Sequence, residues 1–144
     1  MYNACTAAFP TTDITVLSAA VADFKPLTKA NQKIKKSDAG LSVELTKTHD
    51  IASELGKIKR ANQFTVGFAL ETENETANAE KKIAAKNFDL IVLNSLKDNG
   101  AGFGFDTNQI TLINRKKEAR KFSLKSKKEV ARDIVNAIIE NSHA

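Results

Sequence analysis

The most constraining feature of the sequence is its alternation of short apolar runs with segments of helical periodicity. Three short runs, at residues 14–19, 64–69 and 88–93, are mainly apolar, and the first is β-branched at its start, which predicts buried strands. Residues 41–46 alternate apolar with polar side chains and predict a half-buried strand. Because helical segments separate the runs, consecutive strands need crossover connections. This order predicts an α/β fold with a mainly parallel sheet.

The helical segments and a C-terminal hairpin complete the predicted architecture. Residues 109–114 and 121–124 predict a hairpin that adds an antiparallel edge to the sheet. Ser126 with Glu129 three positions later forms a capping-box pattern at the start of the last helix. That helix turns Val130, Ile134, Ala137 and Ile138 inward. The predicted helices cover residues 1–9, from 48 or 50 to about 60, from 74 or 75 to about 87, and 127–140.

Length and composition predict a single α/β domain over residues 1–144. A chain of 144 residues buries an adequate core without disulfides or metal ions. It lacks an apolar stretch near the roughly 20 residues of a membrane helix, and its start does not resemble a signal peptide. The single cysteine, Cys5, is compatible with a reducing compartment. We therefore expect a cytoplasmic protein that does not bind membranes.

The net charge of +5 is concentrated in two places. Residues 25–36 hold five lysines and no acid, and residues 115–128 hold eight basic residues and one acid. Such clusters suit phosphates, nucleotides or nucleic acid, or they form a solvated surface, the interpretation that we favour for the second cluster. The chain has no G-x-G-x-x-G or Walker A motif, no metal-ligand cluster and no Ser-His-Asp signature. Gly100, Gly102 and Gly104 predict a turn.

Candidate site residues follow the apolar runs, because ligands of open α/β sheets bind beyond the carboxyl ends of the strands. Asp23 follows the first run and suits ribose hydroxyls or a metal ion, although it could equally cap a turn before Pro26. The lysines of KIKK at 33–36 predict either a loop that closes over phosphates or an exposed loop.

Further along the chain, four side chains allow both a binding and a structural interpretation. His49 opens a helix at a position that faces anions, or it is an ordinary surface residue. Phe68 stacks on a nucleobase or packs in the core. Lys82 and Lys86 share a helix face and reach one phosphate chain, or they pair with glutamates of the same helix.

Six segments in order resemble the phosphopantothenate–cysteine ligase family, and the match covers most of the chain from about residue 16. They are AAVADF at 19–24, KIKK at 33–36, KTHDI at 47–51, GFALET at 67–72, NFDLIVLN at 87–94 and GFGFDTN at 102–108. The resemblance implies a Rossmann-like three-layer fold with helices on both faces of the sheet. It also implies that the 4′-phosphopantothenate carboxylate attacks CTP, with Mg²⁺, and that cysteine then displaces CMP from the acyl-cytidylate.

The resemblance also assigns roles to individual residues. The catalytic residue is Lys33, the loop lysine of the acyl-cytidylate step. The segment that reads cytosine through its backbone is Leu17, Ser18 and Ala19, and the residue that holds the cytidine is Asp23. The further CTP contacts are Lys33, His49, Asp50, Ile51, Ala52, Phe68, Lys82 and Lys86. No residue is assigned as a metal ligand. The family implies a homodimer, to which residues 94–114 contribute, and FMN only in a fused decarboxylase domain.

Three departures from the family pattern qualify these roles. Thr48-His49 stands where the family usually has Asn-Pro, and Asn94-Ser95 where it often has Asn-Asp. The family's glycine-rich opening and its Arg-x-Ile-x-Asn-x-Ser-Ser-Gly motif are absent. We therefore expect a fragment of the synthetase domain that folds but does not complete the reaction alone.

Two other functions remain as alternatives from the sequence. A basic nucleic-acid-binding module would use both basic clusters and would lose affinity steeply with salt. The chain has one Tyr, no Trp and no recognisable nucleic-acid-reading motif, which argues against it. A Rossmann-like oxidoreductase would need the glycine fingerprint that is missing here.

Overall fold

The computed structural model describes residues 1–34, 40–71, 73–95 and 104–142. Its chain contacts divide it into two compact units, one formed by residues 1–18 and 51–144 and the other by residues 19–50. The four helices are α1 (Tyr2–Ala8), α2 (Ile51–Ile58), α3 (Glu75–Lys86) and α4 (Lys127–Ser142), with a 3₁₀ turn at Phe9–Thr11. The prediction that residues 1–144 form one domain stays a prediction.

The larger unit is built on a five-stranded sheet. Its strands are β1 (Ile14–Leu17), β4 (Phe64–Glu71), β5 (Leu90–Ser95), β7 (Ile110–Asn114) and β8 (Ala119–Lys121), in the spatial order β1-β4-β5-β7-β8. The pairings of β4 with β1 and with β5 are parallel, whereas those of β7 with β5 and with β8 are antiparallel. The predicted parallel sheet with a C-terminal antiparallel hairpin is confirmed.

The end of the predicted hairpin differs in detail. Its second strand is β8, Ala119–Lys121, and not residues 121–124. Phe122 still donates its backbone N–H to the Ile110 carbonyl, at 2.9 Å. The chain then enters β9 (Lys125–Ser126), which pairs with β6 (Thr107–Asn108) in a separate two-stranded ribbon.

Helices cover both faces of the large sheet, as the sequence predicts. The α4 helix packs its four predicted inner residues, all buried, against Val66, Leu90, Val92, Ile110 and Leu112. On the other face, α3 packs through Ala79 and Ile83, and α2 through Ile51 and Leu55. The predicted capping box is present: Glu129 N–H donates to Ser126 Oγ at 3.3 Å, and Ser126 N–H donates to Glu129 Oε2 at 3.0 Å.

The first strand is not buried, contrary to the prediction for residues 14–19. Ile14 is 46% exposed and Val16 is 45% exposed. The cause is position in the sheet, because among the described residues β1 has β4 as its single neighbour and so forms an edge strand. The strand also ends at Leu17, so Ser18 and Ala19 lie beyond it.

Two glycines allow close approach between elements of the larger unit. A Cβ at Gly56 would lie 2.2 Å from the Lys86 carbonyl oxygen, and a Cβ at Gly67 would lie 2.3 Å from the Phe88 ring. Only glycine therefore lets α2 approach the end of α3, and lets β4 pass against Phe88, without a shift of neighbouring atoms.

The smaller unit contains an antiparallel ribbon of β2 (Phe24–Pro26) and β3 (Leu45–Lys47), with Lys25 opposite Thr46. Thr48 closes its end, donating its N–H to the Asp23 carbonyl at 2.9 Å and its hydroxyl to the Ala22 carbonyl at 2.6 Å. The prediction of a half-buried strand at 41–46 is wrong. The strand begins only at Leu45, and Leu41 is 69% exposed. Pairing with β2 sets the residue at which β3 begins. The alternating pattern does not encode this pairing register.

Candidate functional site

The carboxyl ends of β1, β4 and β5 form one edge of the large sheet, since the three strands are parallel. This edge is where open α/β sheets bind ligands. Leu17, the last residue of β1, lies in register with Gly67 of β4. The sheet therefore brings Leu17, the first residue of the predicted cytosine-reading segment, beside Gly67, the neighbour of Phe68 in the chain, although Leu17 and Gly67 are 50 positions apart in sequence.

Most apolar side chains of the predicted site are anchored in the core of the larger unit. Leu17 packs against the clusters beneath α2 and α3, and Ile51 is 8% exposed, beside Phe9 and Leu55. Ala52 is partly buried against the same face. Ile51 can therefore offer a ligand its backbone but little of its side chain, and the start of α2 presents peptide N–H groups.

Phe68 is partly buried and packs against the cluster beneath α4. The structure thus shows the core contact that the sequence left as one of two interpretations. Only the accessible part of the Phe68 ring is available to contact a base. Base stacking by Phe68 stays a prediction.

Lys82 is held at the end of β4 by an ion pair that sequence reasoning missed. Its Nζ lies 2.6 Å from Oε1 of Glu71, the last residue of β4. Asn78 donates its side-chain amide to the other Glu71 oxygen at 3.0 Å. The hydrogen bond from Lys82 lowers the pKa of the Glu71 carboxyl, against the opposing effect of burial. Glu71 is thus an ionised partner that fixes Lys82 at the carboxyl edge.

Lys86 lies one helical turn beyond Lys82, which places its Cα about 6 Å further along the axis of α3. It is the last residue of the helix, and its carbonyl faces Gly56 of α2. The two lysines share a helix side, as the sequence predicts. Lys82 reaches the carboxylate of Glu71 at the end of β4.

The predicted site residues of the smaller unit are exposed. They are Ala19, Asp23, Lys33, His49 and Asp50. Within this unit the ribbon brings Asp23 and Thr48 together through a backbone hydrogen bond, so two segments that the resemblance assigns to CTP lie side by side. Lys35, Lys36, Thr72 and the turn glycines Gly100 and Gly102 lie outside the described residues.

A polar cluster occupies the opposite, amino-terminal edge of the large sheet. The Asp89 carboxylate pairs with Lys59 Nζ and, at 2.9 Å, with Arg115 Nε, and it accepts the Thr65 N–H at 2.6 Å. The Lys59 side chain is 5% exposed, and burial lowers its pKa despite the pairing with Asp89. A cavity of about 490 Å³ opens beside Asp89 and Arg115. These polar groups satisfy one another, which makes the cluster structural.

The second basic cluster is largely paired within the chain. Arg115 donates to the Asn87 and Phe88 carbonyls as well as to Asp89. The other pairs join Lys117 to Glu80 at 3.0 Å, Arg120 to Glu140 at 3.6 Å and Lys125 to Asp133 at 2.7 Å. These contacts favour the solvated-surface interpretation over a nucleic-acid surface.

The described residues contain neither a metal-ligand cluster nor a membrane-spanning helix. Within residues 1–34, 40–71, 73–95 and 104–142, no group of three or more His, Cys, Asp or Glu side chains is arranged to hold a metal ion. Among the helices of that same part of the chain, none is both long and apolar enough to cross a bilayer.

Comparison with known proteins identifies the family. Residues 1–141 match the model of the DNA/pantothenate metabolism flavoprotein C-terminal domain. The chain belongs to this family. It is 45% identical over 138 residues to the coenzyme A biosynthesis bifunctional protein CoaBC of Bacillus subtilis (strain 168), covering 96% of this chain and 34% of that protein. The resemblance read from the sequence is confirmed at the level of the family.

Two other relatives extend the comparison. A protein named cysteine/cysteine sulfinic acid decarboxylase, from an unknown prokaryotic organism, is 52% identical over 143 residues, covering 99% of this chain and 40% of that protein. The crystal structure of the C-terminal domain of CoaBC superimposes with a TM-score of 0.73 at 36% identity, covering 96% of this chain and 61% of that chain. The chain thus spans 34% of the length of the Bacillus subtilis protein and 40% of the length of the protein named as a decarboxylase.

Proposed function

We propose that this chain is part of the synthetase domain of a phosphopantothenate–cysteine ligase and carries the CTP-binding edge of its sheet. The observation that carries the proposal is the match to the CoaBC C-terminal domain over 96% of the chain. Two of the residues that the resemblance assigns to CTP support it further: Leu17 ends β1 and Ile51 begins α2, and this fold class binds nucleotides at the carboxyl ends of its strands.

In the proposed reaction, the carboxylate of 4′-phosphopantothenate attacks the α-phosphate of CTP and pyrophosphate leaves. The amine of cysteine then attacks the acyl carbon and CMP leaves. The charge that builds up on the phosphorus oxygens needs cations, a role that suits Lys33 and Lys82. Backbone groups at Leu17–Ala19 would read the cytosine, and Asp23 would accept hydrogen bonds from the ribose.

Magnesium and FMN enter the proposal without ligands from this chain. Mg²⁺ is commonly held by substrate phosphates with one or two carboxylates. It would help neutralise the triphosphate. FMN would belong to a fused decarboxylase domain, as the family's description as a flavoprotein suggests. A homodimer in the cytoplasm completes the proposal.

The decarboxylase name of one relative does not transfer to this chain. The match covers 40% of that protein, so the larger part of it lies outside the alignment and can hold the named activity. The matched part is the domain type described here, and the CoaBC protein of Bacillus subtilis shares it.

Calorimetric titration tests the proposal. CTP, ATP and CMP are titrated with Mg²⁺ at two salt concentrations into the wild-type chain, Asp23→Ala and Asp13→Ala. Asp13, exposed and immediately before β1, is the matched control for loss of one acidic surface residue. We expect binding that is selective for cytidine nucleotides, weakened by Asp23→Ala, unchanged by Asp13→Ala and only mildly sensitive to salt.

Other outcomes have distinct meanings. Equal binding of all nucleotides that collapses with salt would point to a generic basic surface and against the proposal. No binding of CTP would contradict the proposal for this chain. Turnover assayed with 4′-phosphopantothenate and cysteine tests the expectation that the chain does not complete the reaction alone, which clear product formation would refute.

A further inference from the structure

The pair of Glu71 and Lys82 has a geometry that differs from an ordinary surface ion pair. The Glu71 side chain is only 13% exposed, whereas Lys82 is 41% exposed. Both carboxylate oxygens are engaged, Oε1 by Lys82 at 2.6 Å and Oε2 by Asn78 at 3.0 Å. Asn78 also donates to the Glu73 carbonyl at 3.0 Å. The carboxylate is thus fixed by its surroundings, and the Lys82 ammonium lies on its more exposed side.

A lysine side chain has considerable rotational freedom, and a ligand that binds it must restrict that freedom. An ammonium has three N–H groups, of which one serves the Glu71 oxygen. A carboxylate that already restricts Lys82 lowers the entropic cost of binding an anion at the remaining N–H groups. Glu71 is the last residue of β4, so this restricted ammonium sits at the carboxyl edge of the sheet.

We infer that Glu71, supported by Asn78, is a positioning residue that holds the Lys82 ammonium ready for the phosphates of the bound nucleotide. The inference rests on the proposed function, because it takes the nucleotide to be the anion. Glu71 acts through Lys82 and has no direct contact with substrate in this role.

The charge of Glu71 makes the direction of its effect informative. A carboxylate near a triphosphate repels it, so Coulomb's law alone predicts that Glu71→Gln tightens CTP binding. Positioning of Lys82 by Glu71 predicts that Glu71→Gln weakens CTP binding. This weakening occurs only while Lys82 is present. A double-mutant cycle with Glu71→Gln and Lys82→Met separates these effects.

The experiment measures the dissociation constant for CTP in the wild-type chain, Glu71→Gln, Lys82→Met and the double variant. We expect Glu71→Gln to weaken binding roughly fivefold or more in the wild-type background, within the range for coupled neighbours, and not to weaken it in Lys82→Met. Glu80→Gln is the matched control, because it also removes one negative charge. Glu80 lies on α3 and pairs with Lys117 instead of Lys82. Glu80→Gln should leave binding unweakened.

Several results would overturn the inference. Tighter binding by Glu71→Gln would show that the carboxylate only repels. Equal weakening in both backgrounds would show a structural effect that does not pass through Lys82. An NMR titration in which Lys82→Met fails to raise the pKa of the Glu71 carboxyl would show that the pair does not form in solution. If the wild-type chain does not bind CTP, both this inference and the proposed function fail, whereas binding with Glu71→Gln neutral removes this inference alone.

Discussion

Replacing Asp89 by Asn should destabilise the fold far more than a surface charge change. Asn has nearly the same shape, but it loses the charge that compensates Lys59, whose side chain is 5% exposed. The Asn side chain also places an N–H donor among groups that donate to the carboxylate in the wild-type chain, including Arg115 Nε at 2.9 Å and Thr65 N at 2.6 Å. Breaking a buried ion pair from one side costs about 3–5 kcal/mol.

The lower part of that range is the appropriate expectation here, at about 3 kcal/mol. Asp89 is 17% exposed and Arg115 is 48% exposed, so water screens part of the loss. Against a total stability of about 5–15 kcal/mol for a domain, the change is large. Urea unfolding followed by circular dichroism measures it as a shift in midpoint, with the slope unchanged if only stability is affected.

Two further variants make the reasoning refutable. Glu54→Gln breaks the exposed pair with Lys57, whose side chain is 65% exposed, and should cost less than about 1 kcal/mol. Lys59→Met combined with Asp89→Asn should cost clearly less than the two single changes added together, because it leaves no buried ammonium behind. If Asp89→Asn costs no more than Glu54→Gln, or if the two changes simply add, the pair does not contribute as described.

Three more predictions follow from the larger unit. Gly56→Ala should lower the free energy of unfolding, measured by urea titration, by about 1–3 kcal/mol, because the new Cβ would lie 2.2 Å from the Lys86 carbonyl oxygen. A stabilising effect of Gly56→Ala would contradict this close contact. Ser126→Ala should cost about 1 kcal/mol by removing the α4 cap, with the exposed Ser123→Ala as an unaffected control. Burial lowers the pKa of Lys59 below its ordinary value of 10.5, so the folded chain loses this proton before the unfolded chain does. Unfolding free energy should therefore rise as pH increases through that lowered pKa towards 10.5, and Lys59→Met should lack this rise, which urea titrations across the alkaline range will check.

The elements that local signals determine were predictable from the sequence. The α4 helix appears with its predicted inner face and its capping box, because periodicity and caps depend on residues a few positions apart. The exposure of β1 was not predictable, since an apolar run does not reveal how many neighbours its strand has. The ribbon of β2 and β3 arises from pairing across 18 intervening residues, which leaves no periodic signal in Phe24–Pro26.

The candidate site also has features that the sequence predicts and features that it does not predict. Leu17, Glu71 and Ser95, the last residues of three parallel strands, fall at the carboxyl edge of the sheet, as chain order and parallel pairing predict. The partner of Lys82 escaped prediction because Glu71 lies 11 residues earlier, on a strand, beyond the three- and four-residue spacings that identify helical pairs. Likewise Lys59 and Asp89 lie 30 residues apart and meet only once α2 and β5 are packed.

The large sheet contains both parallel and antiparallel strand pairs, and this affects the order in which the fold can assemble. The antiparallel strands β7 and β8 pair within a few residues, with Ile113 opposite Ala119. The pairing of Val66 with Leu90 closes 24 residues, and that of Ile14 with Phe64 closes 50, a segment that includes the whole smaller unit. Each doubling of a closed loop adds about 0.6 kcal/mol of entropic cost. The sheet should therefore grow from its C-terminal strands towards β1, and β1 would be the last strand to join and the first to leave.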